Sequence, residues 1–343
     1  TGYIKSIGYS FDGVHVSSTN SGDMEIHVDG IIRSAPFGAG AGVRAEITAG
    51  PNTGNITVEQ GSTGKIYGVD GIVAKHGAVG DITVDVAGLV VSRRDGVATV
   101  HNGTGKTEIT AKSTADIRGG INAQSGVNST GIKVTGDGGS KIDGGIYVRE
   151  SGTGAVAEVV SYGSVTAVSP TAINVGSSNG TSIVTVGGTG TVYSKNSDGI
   201  YATAKDGVTI TTGAGTVTGL RDGIDARSSG DIKIETGAGK ISGLGFGASG
   251  IYSKTYGSAS SNIIVNGDVY GANRGVFSRG NFSTGDLEIT TVAGTTIEGK
   301  SYNGISTLAR AANKATIKAY GAVKAGSTAI YAFSSLGGEI DIT

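Results

Sequence analysis

The chain has 343 residues, of which 63 are glycine and three proline, with no cysteine or tryptophan and a net charge of −1. Near-neutral charge excludes a globally basic nucleic-acid binder, and 37% hydrophobic residues are too many for a disordered chain. Glycine at this density without a G-X-Y period excludes collagen, and the lack of cysteine excludes disulfides, thiolate zinc sites and cysteine nucleophiles.

The apolar residues are mostly Val, Ile and Ala, and the polar ones Thr and Ser, a mixture suited to strands joined by tight turns. In chain order, the phrase Gly-[Ile/Val]-x-[Ala/Ser/Val] opens at Gly13-Val14-His15-Val16. It recurs at Gly42, Gly71, Gly96, Gly120, Gly145, Ala172, Gly199, Gly223, Gly250, Gly275, Gly304 and Ala329. These thirteen copies are 24 to 29 residues apart. Two further short strands lie between copies. One reads Gly-Asp-Ile-x-Val, as in Gly80-Asp81-Ile82-Thr83-Val84 and Gly230-Asp231-Ile232-Lys233-Ile234. The other reads Gly-x-[Val/Ile]-x-Gly, as in Gly64-Lys65-Ile66-Tyr67-Gly68 and Gly239-Lys240-Ile241-Ser242-Gly243.

Three strands per repeat predict an all-β, single-stranded, right-handed parallel β-helix of about thirteen coils, continuous over residues 1–343. Within each strand the Ile and Val positions point one way and the variable position the other. One coil cannot bury its aliphatics, whereas stacked coils bury them continuously. The last residues, Gly338 to Thr343, read as the opening strand of another coil, so a longer protein with caps elsewhere is expected. A looped-out corner with a helical turn is expected over 306–313.

The outward position of the recurring phrase runs His15, Arg44, Val73, Ala98, Asn122, Tyr147, Asn174, Tyr201, Asp225, Tyr252, Phe277, Ser306 and Tyr331. Stacking aligns Tyr147, Tyr201, Tyr252, Phe277 and Tyr331 along one ridge, either as a ladder that shields the sheet or as a partner-binding strip. Between Gly299 and Lys324 stand Lys300, Arg310, Lys314, Lys318 and Lys324 with no acidic residue, a second candidate surface for sulfated glycans or acidic receptor loops. Residues 35–41, 255–262 and 278–284 read as binding loops.

No catalytic residue is expected. Gly-Asp is followed by Ile82, Ile232 or Leu287, never by the Ser of a serine-protease phrase, and the Asn-Thr-Asp, Gly-His-Gly and Arg-Ile-Lys phrases of pectin-degrading solenoids are absent. Asp70, Asp95, Asp198 and Asp222 precede the phrase glycine, with Asn303 in the matching place. They read as turn residues that bond the local backbone before a glycine free to take positive φ. Asp81, Asp231 and Asp286 fill the same role at another corner. Neither metal nor cofactor is expected: Gly136-Asp137-Gly138-Gly139 occurs once, and His15, His27, His76 and His101 share no ligand spacing. Thr57, Thr83, Thr185 and Thr209 prompt an ice-binding alternative, but Lys133, Ile264 and Glu288 interrupt those ranks.

With its Gly-Asp-Ile-x-Val and Gly-Ile-Tyr-Ala phrases, Thr/Ser-rich coils and absent cysteine, the whole chain resembles the passenger domains of bacterial autotransporters, in the pertactin and AIDA-like adhesin style. The resemblance implies type V secretion and a place outside the bacterium, either secreted or held at the surface by a C-terminal outer-membrane barrel. It also implies a non-catalytic virulence role in adhesion, with a host cell-surface protein, extracellular matrix or glycan as partner and possible self-association. A growth-factor-like host-receptor agonist and a polysaccharide-degrading β-helix enzyme are the alternatives. Neither a nucleic-acid partner nor direct membrane insertion by this segment is expected.

Overall fold

The computed structural model describes the backbone of residues 3–5 and residues 11–34, 40–48, 50, 53–168, 171–281, 284–310, 314–335 and 338–343. Its strands form three parallel sheets of thirteen strands each, and every third strand along the chain joins the same sheet. This is a right-handed parallel β-helix with three strands per coil, and the described residues contain no helix. Sheet A holds the Gly-x-Val-x-Gly strands, sheet B the Gly-Ile-x-Ala strands and sheet C the Gly-Asp-Ile-x-Val strands. The chain divides into two compact units, residues 1–166 with 177–180, and residues 167–176 with 181–343.

Register explains the core. In the first unit Val58, Val84, Ile109, Val134 and Val159 stack as Cα partners in sheet C, none more than 1% exposed. In the second, Val217, Ile241, Val269 and Ile297 form an equivalent column in sheet A. Each such side chain contributes about 1.5–3 kcal/mol by leaving water, but only because a neighbouring coil covers it.

The phrase glycine is needed for space rather than for dihedral freedom, which corrects the expectation from sequence. A Cβ on Gly71 would lie 2.2 Å from Val90 Cγ1 and 2.3 Å from the Gly96 carbonyl oxygen. On Gly250 it would lie 2.3 Å from Val269 Cγ1. Among the phrase glycines only Gly120 and Gly145 have positive φ, 78° and 86°. In the coils where glycine stands at this corner the chain passes so close to the inward aliphatic of sheet A that no side chain fits, whereas Ala172 and Ala329 hold the place in two others.

The corner aspartates also differ from expectation. The carboxylates of Asp198, Asp222, Asp81, Asp231 and Asp286 bond the backbone of the next coil, not their own turn. Asp198 Oδ1 accepts the Asp222 N–H at 3.0 Å, and Asp222 Oδ1 accepts the Ser249 N–H at 2.6 Å. At the sheet C corner Asp23, Asn55 and Asp81 accept in series from the N–H of Asn55, Asp81 and Lys106 at 2.8, 2.9 and 2.9 Å. Asp231 and Asp286 do the same for Ser260 and Lys314, at 2.8 and 3.0 Å. Coils lie about 4.8 Å apart, so a carboxylate one side-chain length out reaches the amide stacked on it.

Other local expectations change too. The helical turn expected from residue 306 is instead strand Ile305–Ala309, paired with the preceding coil, while 311–313 lie outside the described residues. Of the three expected loops, 35–39 and 282–283 lie outside the described residues. The third shrinks, because strand Ser249–Tyr256 runs into it and strand Ser261–Val265 begins before its end. Ile340–Ile342, expected as the opening strand of another coil, is instead the thirteenth strand of sheet C, beside the thirteenth strands of the other two sheets.

One inward column of the first unit is polar. Ile47, His76, His101 and Ser125 stack in sheet B, with His76 1% and His101 0% exposed. The two imidazoles meet edge to face at 5.1 Å. His76 is satisfied: Nε2 lies 2.6 Å from the Gly54 carbonyl oxygen, and Nδ1 accepts the Ala78 N–H at 3.2 Å. Neither ring nitrogen of His101 has a partner of good geometry, and the Gly80 backbone offers only a weak one. Burial, with repulsion from His76, pushes His101 down to about 4.

Two outcomes are expected. Gly250→Ala costs about 1–3 kcal/mol in urea denaturation, whereas Gly138→Ala, with open space around it, is near neutral. For His101, the unfolded ring takes its proton near 6.5 and the folded one only near 4, so stability is full above 6.5 and falls between those values. The loss is roughly 3 kcal/mol, read by hydrogen exchange in strands 72–76 and 97–101, and His101→Val flattens it.

Candidate functional site

The outward positions of sheet B stack as the repeat predicts. In the second unit Tyr201, Asp225, Tyr252, Phe277, Ser306 and Tyr331 are successive Cα partners. Tyr201, Tyr252 and Phe277 are thereby brought together, half-buried, with Asp225 between the first two. Tyr331 lies beyond Ser306 and is 44% exposed. Tyr147 belongs to the first unit, where the Arg149 guanidinium lies 5.6 Å from its ring.

Arginines thread this strip. Arg227 lies two residues beyond Asp225 on the same face and grips its carboxylate with two bonds, Nε to Oδ1 at 2.9 Å and Nη2 to Oδ2 at 2.7 Å. Its guanidinium also stands 5.5 Å from the Tyr201 ring and 5.6 Å from Tyr252. Tyr252 and Phe277 are 5.5 Å apart, tilted by 52°. Arg274 then lies 4.5 Å from Phe277 and 5.0 Å from Tyr302. The strip therefore reads Tyr201, Arg227, Tyr252, Phe277, Arg274, Tyr302, with each cation–π contact worth about 0.5–2 kcal/mol depending on solvent. The aromatic members are visible in the sequence. Arg227 shows itself only when the next outward position of the same strand is also stacked.

Beneath the strip three carboxylates converge. Asp198 is 1% exposed, Asp225 is 0% exposed and Asp222 is half-buried, and one oxygen from each lies within 4.8 Å of the others. Arg221 Nη2 approaches Asp198 at 3.1 Å and Asp225 at 3.9 Å. Burial pushes all three acids above the ordinary carboxylate range. Asp222, which makes no ion pair, moves to about 6. Burial likewise raises Tyr201 and Tyr252, and the bond to Asp225 raises Arg227. Three carboxylates offer the oxygen set a hard cation takes, but the two arginines already occupy Asp198 and Asp225. The first unit holds a milder version, in which Arg94 Nη2 meets Asp70 Oδ2 at 2.6 Å and Asn122 donates to Asp95 at 3.2 Å. Asn122 there fills the ladder place of Asp225. The signal in the sequence is the shared Arg-Asp-Gly at 94–96 and 221–223.

The basic residues near the end are not gathered on one face. Lys300 follows a sheet A strand, Arg310 follows a sheet B strand, and both are exposed. Lys314 Nζ lies 2.9 Å from Glu339, and Lys318 Nζ lies 2.8 Å from Glu288 on sheet C. Lys324, in sheet A, is in register with Glu298. Folding distributes the sequence cluster around the coil and pairs part of it.

Compared with protein-family models, curated proteins and solved structures, the chain gives no match.

The acid cluster has a definite pH signature, opposite to that of His101. Asp222 binds its proton near 6 when folded and near 3.8 when unfolded, so its contribution is full below 3.8 and is lost as pH rises to 6. Hydrogen exchange in strands 224–228 and 251–255 is expected to weaken by up to roughly 3 kcal/mol over that window, and Asp222→Asn removes the slope. Arg227→Ala strands a buried carboxylate and costs about 3 kcal/mol, while adding Asp225→Asn recovers part of it.

Proposed function

We propose that this chain is a passenger segment of a secreted or surface-exposed bacterial protein in the autotransporter style, acting by binding a host cell-surface protein and not by catalysis. The observation that carries the reading is the strip Tyr201, Arg227, Tyr252 and Phe277. Tyrosine and arginine dominate binding hot spots because they combine large contact area with a polar tip. Here their geometry is fixed before a partner arrives, since each ring is held by a guanidinium or another ring. The long repeat and the absence of cysteine support export in the unfolded state. Adhesion and receptor agonism are two uses of the same strip, separated by whether receptor phosphorylation accompanies attachment.

A second reading, a polysaccharide-degrading enzyme, is favoured by one observation: three neighbouring carboxylates with Asp222 near 6, where a general acid works. Against it, Asp198 and Asp225 are covered and tied to Arg221 and Arg227.

The test is binding of the purified chain to host cells and to immobilised matrix proteins. Replacing Tyr201, Tyr252 and Phe277 together with Ala is expected to weaken binding by about a hundredfold or more, with circular dichroism and heparin retention unchanged. Binding that survives the triple variant sinks the proposal. Release of reducing ends from acidic polysaccharides, abolished by Asp222→Asn, establishes the enzyme reading instead.

A further inference from the structure

The corner between sheets A and B in the second unit carries an apolar knob that the ridge does not use. Leu244 N–H donates to the Gly219 carbonyl at 3.0 Å and Gly245 N–H to the Leu220 carbonyl, so consecutive coils stack here in register. Leu220 is 44% exposed and Leu244 50%. The Ala248 N–H closes a turn on the Gly245 carbonyl at 3.0 Å, and Gly247 takes φ 81°. That is the geometry of a type II turn, with Phe246 at its outer corner. Phe246 is 108% exposed, so its ring rests on nothing. The spacing from Gly223 to Gly250 is 27 residues, against 24 for the coil before, and the added residues build this turn.

Exposed charge around the knob is mainly basic, with the exposed Asp268 standing one coil from Lys240 at the far end of strand Ile241–Gly243. No acidic residue occurs between Glu235 and Asp268, whereas Lys240 and Lys254 do. On neighbouring coils of the same corner stand Lys195, Arg221 and Lys300, all exposed. Of the acids of this corner, Asp198 is buried and neutralised by Arg221, and Asp222 is half-buried. Tyr193 and Tyr302, 45% and 46% exposed, flank the knob.

Apolar side chains at a tip, basic residues behind them and tyrosines at the margin match the layers of a bilayer surface: acyl boundary, phosphates and headgroup region. We propose that Leu220, Leu244 and Phe246, flanked by Lys195, Arg221 and Lys240, form a peripheral contact with anionic phospholipid membranes. Two features favour a lipid surface over other acidic partners. A polyanionic glycan has no use for a fully solvated phenyl ring. A protein socket needs a surface of matching shape, whereas a fluid interface accepts a lone protruding ring. The contact is peripheral, and it is independent of the partner reading of the ridge.

The absence of tryptophan makes the test direct, because Phe246→Trp places a single reporter at the tip. With vesicles of phosphatidylcholine and phosphatidylserine at about three to one, the proposal expects a blue shift of its emission and quenching by brominated acyl chains. Neither is expected with phosphatidylcholine alone, and screening by salt weakens the effect. In sedimentation of the otherwise unaltered chain, Leu244→Ser with Phe246→Ser is expected to lower partitioning into these vesicles at least about tenfold. Lys195→Gln with Lys240→Gln lowers it on anionic vesicles only. Both pairs lie on exposed positions, and unchanged circular dichroism confirms folding. An unshifted reporter overturns the proposal. So does vesicle binding that persists in the double serine variant, since basic charge alone then accounts for it. Loss of host-protein binding in that variant without any vesicle binding also overturns it, assigning the knob to a protein socket.

Discussion

Every described strand is stacked, residue on equivalent residue, against the strand one coil away. This vertical register is the constraint on which the other features rest. It turns a weak sequence repeat into columns, and the chemistry of a column is decided by what stands above and below each residue. Aliphatic columns satisfy it without special measures, since Val on Ile on Val fills space continuously. At the corner between sheets A and B the same stacking leaves no room for a β-carbon in most coils, so glycine recurs there although its φ is mostly ordinary.

Polar groups obey the same rule with different consequences. A corner carboxylate faces the amide of the next coil, and the Asp23, Asn55, Asp81 series uses that fact to tie coil to coil. Where acids themselves stack, the register brings like charges together, as it does for Asp198, Asp222 and Asp225. Two arginines answer this. Arg227 does so while also holding Tyr201 and Tyr252, so the acid cluster and the aromatic strip are one construction. Removing either part disturbs the other, and buried ion clusters of this kind serve geometry more than net stability.

Much of this was legible in the sequence, for a physical reason: a repeat of strand-length phrases specifies its own stacking. The phrase starting at Gly199 aligns Tyr201 with Asp225, Tyr252 and Phe277 by repeat position alone, and the structure keeps that register. What was not legible depends on contacts between coils at positions the phrase does not mark. Asp198 and Asp222 read as turn residues because a single coil shows only their glycine neighbour. Their convergence with Asp225 needs two stacked coils and one strand's side-chain alternation at once. His76 and His101 shared no ligand spacing, yet 25 residues is one coil, and the column rule places one on the other. The basic run from Lys300 to Lys324 misled in the opposite sense, because sequence neighbours in a three-sided coil are delivered to different sheets.

The same geometry constrains how the strip can meet a partner. The ring faces of Tyr201 and Tyr252 are turned to Arg227, and Phe277 is turned to Tyr252 and Arg274, so stacking of a flat ligand on those faces would break contacts already made. A partner of the proposed kind would therefore meet the strip from its solvent side, where Tyr201, Arg227, Tyr252 and Phe277 are each half-buried. Because these rings and the Arg227 guanidinium are already held by their neighbours, a partner bound as proposed would cost them little side-chain freedom.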